Sequence, residues 1–199
     1  MPLLQPIGPR AAHLCIDMQK LLAPHGPWPI PWSAAAMPRI VALVERNPTD
    51  TIFTRFMPPA KGDDMPGTWR RFYRKWRSVT RERIDPSLLD LLAPLNGFAP
   101  PARIIDKSRY SAFCGGALER LLAERGIDTL VLSGAETDVC VLATLMAAID
   151  HGYRAIVAAD AVCSSSDVCH DALMTLYNER FSEQVEIAGT TEILGAWNT

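Results

Sequence analysis

Short apolar runs alternate along this chain with longer stretches in which apolar positions recur every three or four residues. Ala11-Ala12-His13-Leu14-Cys15-Ile16 stops at Asp17 and reads as a buried strand. Further strands are predicted at Thr51 to Thr54, Ala102 to Ile105, Thr129 to Ser133, Arg154 to Ala159 and, short and last, Gln184 to Ile187. Helical spacing is read over Ala34 to Arg46, Gly116 to Arg125, Thr137 to His151 and Asp167 to Phe181. Gly126 and Gly152 follow two of these stretches, where glycine commonly stops a helix.

Strand and helix in alternation imply parallel strands joined by right-handed crossovers. The expected fold class is therefore α/β, a three-layer αβα arrangement on a mostly parallel, roughly six-stranded, Rossmann-like sheet. One domain over residues 1–199 is expected, with an insertion of loops and short helices at about 57–101, where much of the proline lies. In such folds ligands bind beyond the carboxyl ends of the strands. Asp17, Arg55, Lys107 and the segment Gly134 to Cys140 all follow strands and are the first places to look.

Composition narrows the functional classes. The chain is 48% hydrophobic and 21% charged, with mean hydropathy near zero, which fits a globular protein with a real core. A formal charge of −2 gives no bulk attraction to nucleic acid or anionic membranes. No run approaches the roughly 20 apolar residues of a membrane span. The start, MPLLQPIGPR, has no signal-peptide pattern, so a cytoplasmic location is expected. There the five cysteines should be mostly reduced, and without a C-x-x-C pair neither a disulfide framework nor a zinc ribbon is favoured.

Among them Cys140 stands out. It follows the fourth strand in Gly134-Ala135-Glu136-Thr137-Asp138-Val139-Cys140-Val141, with Thr137 read as a helix N-cap and Cys140 in the first turn. Unpaired N–H groups and the helix dipole would favour a thiolate there, although a small buried cysteine would occupy the same place. Asp17, after a buried run, is either a turn aspartate or a functional acid that needs a partner. Lys107, in Lys107-Ser108-Arg109-Tyr110-Ser111-Ala112-Phe113, is on position alone a solvated charge as readily as a functional one.

Taken together and in order, Asp17-Met18-Gln19, Lys107 to Phe113 and Gly134 to Val141 closely resemble the isochorismatase-like cysteine hydrolase family, from about His13 to Ala188. That family includes nicotinamidases, N-carbamoylsarcosine amidohydrolases and ureidoacrylate amidohydrolases. The resemblance implies a catalytic triad of Asp17, Lys107 and Cys140, with a thioester formed on the cysteine. It also implies a cis peptide between Ala135 and Glu136, and an oxyanion hole made by the Glu136 and Cys140 N–H groups. Relatives commonly form homo-oligomers, dimers or tetramers, and the same is expected here.

Nicotinamidases of the family carry an Asp-x-His metal motif after the second strand. Here Phe56 and Pro58 occupy those positions, and His13, His25, His151 and His170 lack ligand spacing. Cys163, Cys169 and His170 do not form a usual zinc pattern either. Neither a metal nor a cofactor is expected, and the partner should be a small-molecule substrate. The presence of Cys140 tilts the reading toward hydrolysis of a C–N bond in a small amide, ureide or imide. Isochorismatase chemistry, in which a vinyl ether is cleaved to release pyruvate, is the alternative. A non-catalytic or redox-sensing binding protein on the same fold is the third reading.

Within the insertion, Trp69, Phe72, Tyr73 and Trp76 fall on one face of a predicted helix, and Arg70, Arg71, Arg74, Lys75 and Arg77 on the others. A stripe on one face fits packing better than base stacking, so nucleic-acid binding is not expected. The stripe would serve as a lid over the site or as a subunit contact. Gln19, Arg55, Phe56, Trp69, Tyr73, Tyr110 and Phe113 are the candidate substrate-pocket residues. Arg55 is read either as a carboxylate clamp or as a structural ion-pair partner, and Gln19 as lining the pocket or bonding Asp17.

Overall fold

A computed structural model describes residues 3–197, so the Met1-Pro2 start and the final two residues of the expected domain lie outside it. Six strands form one sheet: β1 (Ala11–Ile16), β2 (Thr51–Phe56), β3 (Arg103–Lys107), β4 (Thr129–Ala135), β5 (Arg154–Cys163) and β6 (Val185–Ala188). Their spatial order is β3-β2-β1-β4-β5-β6 and every neighbouring pair is parallel. The sheet is thus wholly parallel rather than mostly so. The seven α-helices are α1 (Ser33–Arg46), α2 (Gly67–Lys75), α3 (Ala93–Asn96), α4 (Ala117–Glu124), α5 (Leu142–Asp150), α6 (Asp167–Arg180) and α7 (Thr190–Ala196).

Burial on both faces explains the continuous apolar runs, and alternation within each run assigns the two faces. Cys15, Phe53, Val131 and Ile156 point to one core with Ile40 and Leu43 of α1 and Ile193 of α7. Leu14, Ile16, Leu130, Leu132 and Val157 point to the other, with Leu118 and Leu122 of α4, Leu145 and Ala148 of α5, and Tyr177 of α6. These are the three expected layers. Helix α7 has no counterpart in the sequence reading, and β5 runs on to Cys163, four residues beyond the strand read there.

The strand order reverses direction between β1 and β4, and a crevice opens at the carboxyl ends of strands where this happens. Register brings the reacting ends level: Ile16 pairs with Gly134, and Phe56 pairs with Lys107. Gly134 permits the approach. Its φ is +102°, and a Cβ there would overlap the Ile16 carbonyl oxygen. The chain leaves β1 through Asp17, whose φ of +52° is the one positive value at a described non-glycine residue. A side chain in that left-handed region costs about 1 kcal/mol or more, which marks a strained position at the crevice.

Candidate active site

At the β1–β4 junction a cavity of about 340 Å³ opens, lined among others by Asp17, Phe56, Tyr110, Glu136 and Cys140. Lys107, at the end of β3, has no exposed side-chain surface, and its Nζ stands 2.6 Å from Asp17 Oδ2. That ion pair is the sole partner of Oδ2 among the described residues. Oδ1 accepts from Thr54 Oγ1 at 2.6 Å. Lys107 Nζ also donates to the carbonyls of Arg109 (3.1 Å) and Tyr110 (2.9 Å), and lies 5.3 Å from the centre of the Phe56 ring. A buried pair survives only when its remaining hydrogen-bonding positions are filled, and these contacts fill most of them.

Cys140 lines the cavity beside Asp17, and the charges of Asp17 and Lys107 both act on its thiol. Burial, then the Asp17 charge, push the thiol well above its ordinary value, against the opposing pull of Lys107. This runs against the expectation of a favoured thiolate: burial and the Asp17 charge favour the neutral thiol. Burial pulls Lys107 down, but its acidic neighbours, Asp17 first, outweigh it and hold the ammonium above its usual range.

Thr137 is not the N-cap. That position falls to Glu136, and the segment Thr137–Val141 forms one π turn before α5 begins. The Glu136 carbonyl accepts from Val139 N (3.1 Å) and Val141 N (3.0 Å), so the bond an α-helix would run from Cys140 N is skipped. The peptide Ala135–Glu136 is cis. Thr137 instead uses its hydroxyl toward His170 Nδ1 (2.9 Å) and its carbonyl to accept from Tyr177 (3.1 Å). Ser164 Oγ donates to Asp138 (2.6 Å), and Ser165 N donates to Glu136 Oε1 (3.0 Å). The β5–α6 connection therefore holds the turn from outside.

The structure divides the candidate pocket residues. Gln19, Phe56 and Tyr110 line the cavity; Arg55, Trp69, Tyr73 and Phe113 do not. Arg55 is paired through Nε (2.7 Å) and Nη2 (2.9 Å) with Asp106, its register partner on β3, so it is a structural ion pair and not a carboxylate clamp. Trp69 backs the lining, 4.8 Å from the Tyr110 ring, and Tyr73 is buried beside Phe56 and Met65. Phe113 is turned away to stack on His151 at 4.8 Å. The Gln19 side chain does not bond the Asp17 carboxylate; its amide donates to Phe56 O and Leu89 O and accepts from Phe56 N, which ties the insertion to β2.

Several lining residues were not foreseen. Leu21, Leu22, Pro27, Trp28 and Pro29 come from the loop after β1, and Phe72 and Trp76 from the aromatic stripe. The stripe is therefore split, with Phe72 and Trp76 facing the cavity inside this chain and Trp69 and Tyr73 packed behind. Thr54, the direct partner of Asp17, was visible only as an inward strand residue. A polar side chain within a buried strand was the available signal. Cys163 is buried, Cys169 exposed, and His170 is engaged with Thr137.

Comparison with known proteins agrees with this geometry. The isochorismatase domain family matches residues 11–189. Maleamate amidohydrolase from Pseudomonas putida is 28% identical over 184 residues, covering 89% of this chain and 84% of that enzyme. Ureidoacrylate amidohydrolase from Methylorubrum extorquens is 38% identical over 92 residues, which are 46% of this chain and 36% of that enzyme. A cysteine hydrolase from Pseudomonas syringae superposes with a TM-score of 0.81 over 98% of this chain and 97% of that one, at 24% identity, a likeness of fold. With the match spanning nearly the whole sheet and the strand ends that frame the cavity, this chain belongs to the isochorismatase family of hydrolases.

Proposed function

We propose that the protein hydrolyses the C–N bond of a small amide by covalent catalysis, with Cys140 as nucleophile, Asp17 as general base and acid, and Lys107 as the charge that positions them. The reading rests on one observation: Cys140 and Asp17, the latter ion-paired with Lys107, lie together at the wall of one cavity. A thiol held neutral beside a carboxylate calls for proton transfer at the moment of attack. As sulfur bonds to the carbonyl carbon, the thiol proton passes to Asp17. The oxyanion would be met by the Glu136 and Cys140 N–H groups, the second of which lacks its α-helical acceptor. Asp17 then protonates the departing nitrogen, the C–N bond breaks, and ammonia or an amine leaves a thioester. Water attacks the thioester, gives its proton to Asp17, and releases the acid as the thiol is restored.

Lys107 keeps the carboxylate in place and balances its charge, and Thr54 fixes the other oxygen. The two amidohydrolase relatives support the C–N bond as target. The test is ammonia release from a panel of small amides, ureides and imides, run with wild type and Cys140→Ala together. Release by the wild type with a loss of at least about 1,000-fold in the variant is the expected result. Pyruvate from isochorismate without ammonia from any amide would overturn it.

A further inference from the structure

We infer that the site takes an uncharged amide with a hydrocarbon acyl group, aromatic or branched, and turns away substrates that carry a carboxylate. This rests on the hydrolase reading above and adds the charge class of its substrate. Leu22, Trp28, Phe56, Phe72, Trp76 and Tyr110 supply large apolar and aromatic side chains to the wall. Trp28 is the hub, with ring centres 6.0 Å from Phe56, 6.0 Å from Phe72 and 5.7 Å from Trp76. Such a wall rewards apolar surface and offers little to a polar substituent.

The charges point the same way. Asp17 and Glu136 are the charged residues of the lining, and no lysine or arginine of the described residues joins them. Lys107 spends its ammonium on Asp17, Arg109 O and Tyr110 O. Arg55 is committed to Asp106. Arg109 lies over the Trp69 face at 5.4 Å and donates to Ser108 O. Arg70, Arg71 and Arg74 on α2 are exposed and absent from the lining. The Gln19 amide is also consumed by backbone partners. A carboxylate entering the cavity would lose its water, meet two acidic side chains, and find no cation. Maleamate and ureidoacrylate, the substrates in the names of two relatives, are both carboxylates and fit this cavity poorly.

The experiment uses matched pairs: 4-methylbenzamide against 4-carboxybenzamide, and 4-methylpentanamide against succinamate. Ammonia release should give a kcat/KM for the neutral member at least about 100-fold higher. Binding of the same compounds to Cys140→Ala, followed by tryptophan fluorescence, should show the same order. Trp76→Arg, which brings a cation to the wall, should shrink the ratio at least about tenfold. Turnover or binding of the carboxylates as good as that of the neutral amides overturns the inference and leaves the hydrolase reading standing. Selective binding of the neutral members without ammonia overturns the hydrolase reading and leaves the charge class standing. No binding and no turnover of either neutral member overturns the inference as well.

Discussion

Lys107 Nζ and Asp17 Oδ2 stand 2.6 Å apart with both side chains withdrawn from solvent. They stand at the ends of strands separated by β2, so their pairing bridges the carboxyl end of β2. Removing one partner of such a pair strands the other charge, a loss of about 3–5 kcal/mol. Lys107→Met should therefore lower the free energy of unfolding by that order and abolish turnover. Urea denaturation checks it, and a variant as stable as wild type would mean that Asp17 finds other compensation.

Asp17 raises the Cys140 thiol and Lys107 lowers it, so the two neighbours predict opposite effects. In Asp17→Asn the thiol should titrate lower, and iodoacetamide should alkylate Cys140 faster at pH 7 than in wild type, although amide hydrolysis is lost. In wild type Cys140 should react more slowly than the exposed Cys114. The rates are read per residue by mass spectrometry across pH 6–10, and slower alkylation in Asp17→Asn would contradict this assignment of charges.

Thr54 donates to Asp17 Oδ1 at 2.6 Å in full burial. Thr54→Val keeps the shape and deletes the donor to a charged group, at a cost of about 1.5–3 kcal/mol. The expected signature is a fall in kcat with little change in KM, because the hydroxyl touches the carboxylate and does not line the cavity. A purely structural hydroxyl would lower stability and leave the kcat of the folded fraction intact.

Gly134→Ala forces a Cβ onto the Ile16 carbonyl at a positive φ. Both effects oppose the fold, and a loss above about 3 kcal/mol is expected. A thermal melt close to that of wild type would show that β1 and β4 can separate there.

Buried His13 bonds Ser133 Oγ at 2.7 Å and Thr51 Oγ1 at 3.3 Å, and burial lowers it from 6.5 to about 3. A depressed imidazole stays neutral in the folded chain while the unfolded chain takes up a proton below pH 6.5. Its contribution is therefore complete above pH 6.5 and drains away toward pH 3, by roughly 3–5 kcal/mol. Urea titrations at pH 7, 5.5 and 4 should show a shallower decline for His13→Gln. Parallel declines would remove the imidazole as the cause.

Six strands and five of the helices were legible because each left a local mark, and the three converging residues because their segments in order resemble one family. Buried parallel strands are apolar throughout, so Ala11–Ile16 and Thr129–Ala135 announced themselves, and Asp17, Lys107 and Cys140 sit just where such strands end. Side-chain direction was another matter. Trp69 and Phe72 share one stripe, yet of the two only Phe72 reaches the cavity, where its ring lies 6.0 Å from Trp28. Arg55 stood open between a carboxylate clamp and a structural ion pair until its register partner proved to be Asp106. The π turn around Cys140 depends on His170, Tyr177 and Ser164, residues from 24 to 37 positions away, and left no local pattern.

Local chemistry along the chain thus determined the layer architecture, since burial and strand ends write themselves into neighbouring residues, while Asp17, Lys107 and Cys140 were singled out as a set only by the family resemblance of their three segments. The charge state of the thiol, the commitment of every nearby cation and the apolar character of the cavity depend on distances between segments remote in sequence. Those distances exist only once the sheet has closed and brought β1, β3 and β4 level at one edge.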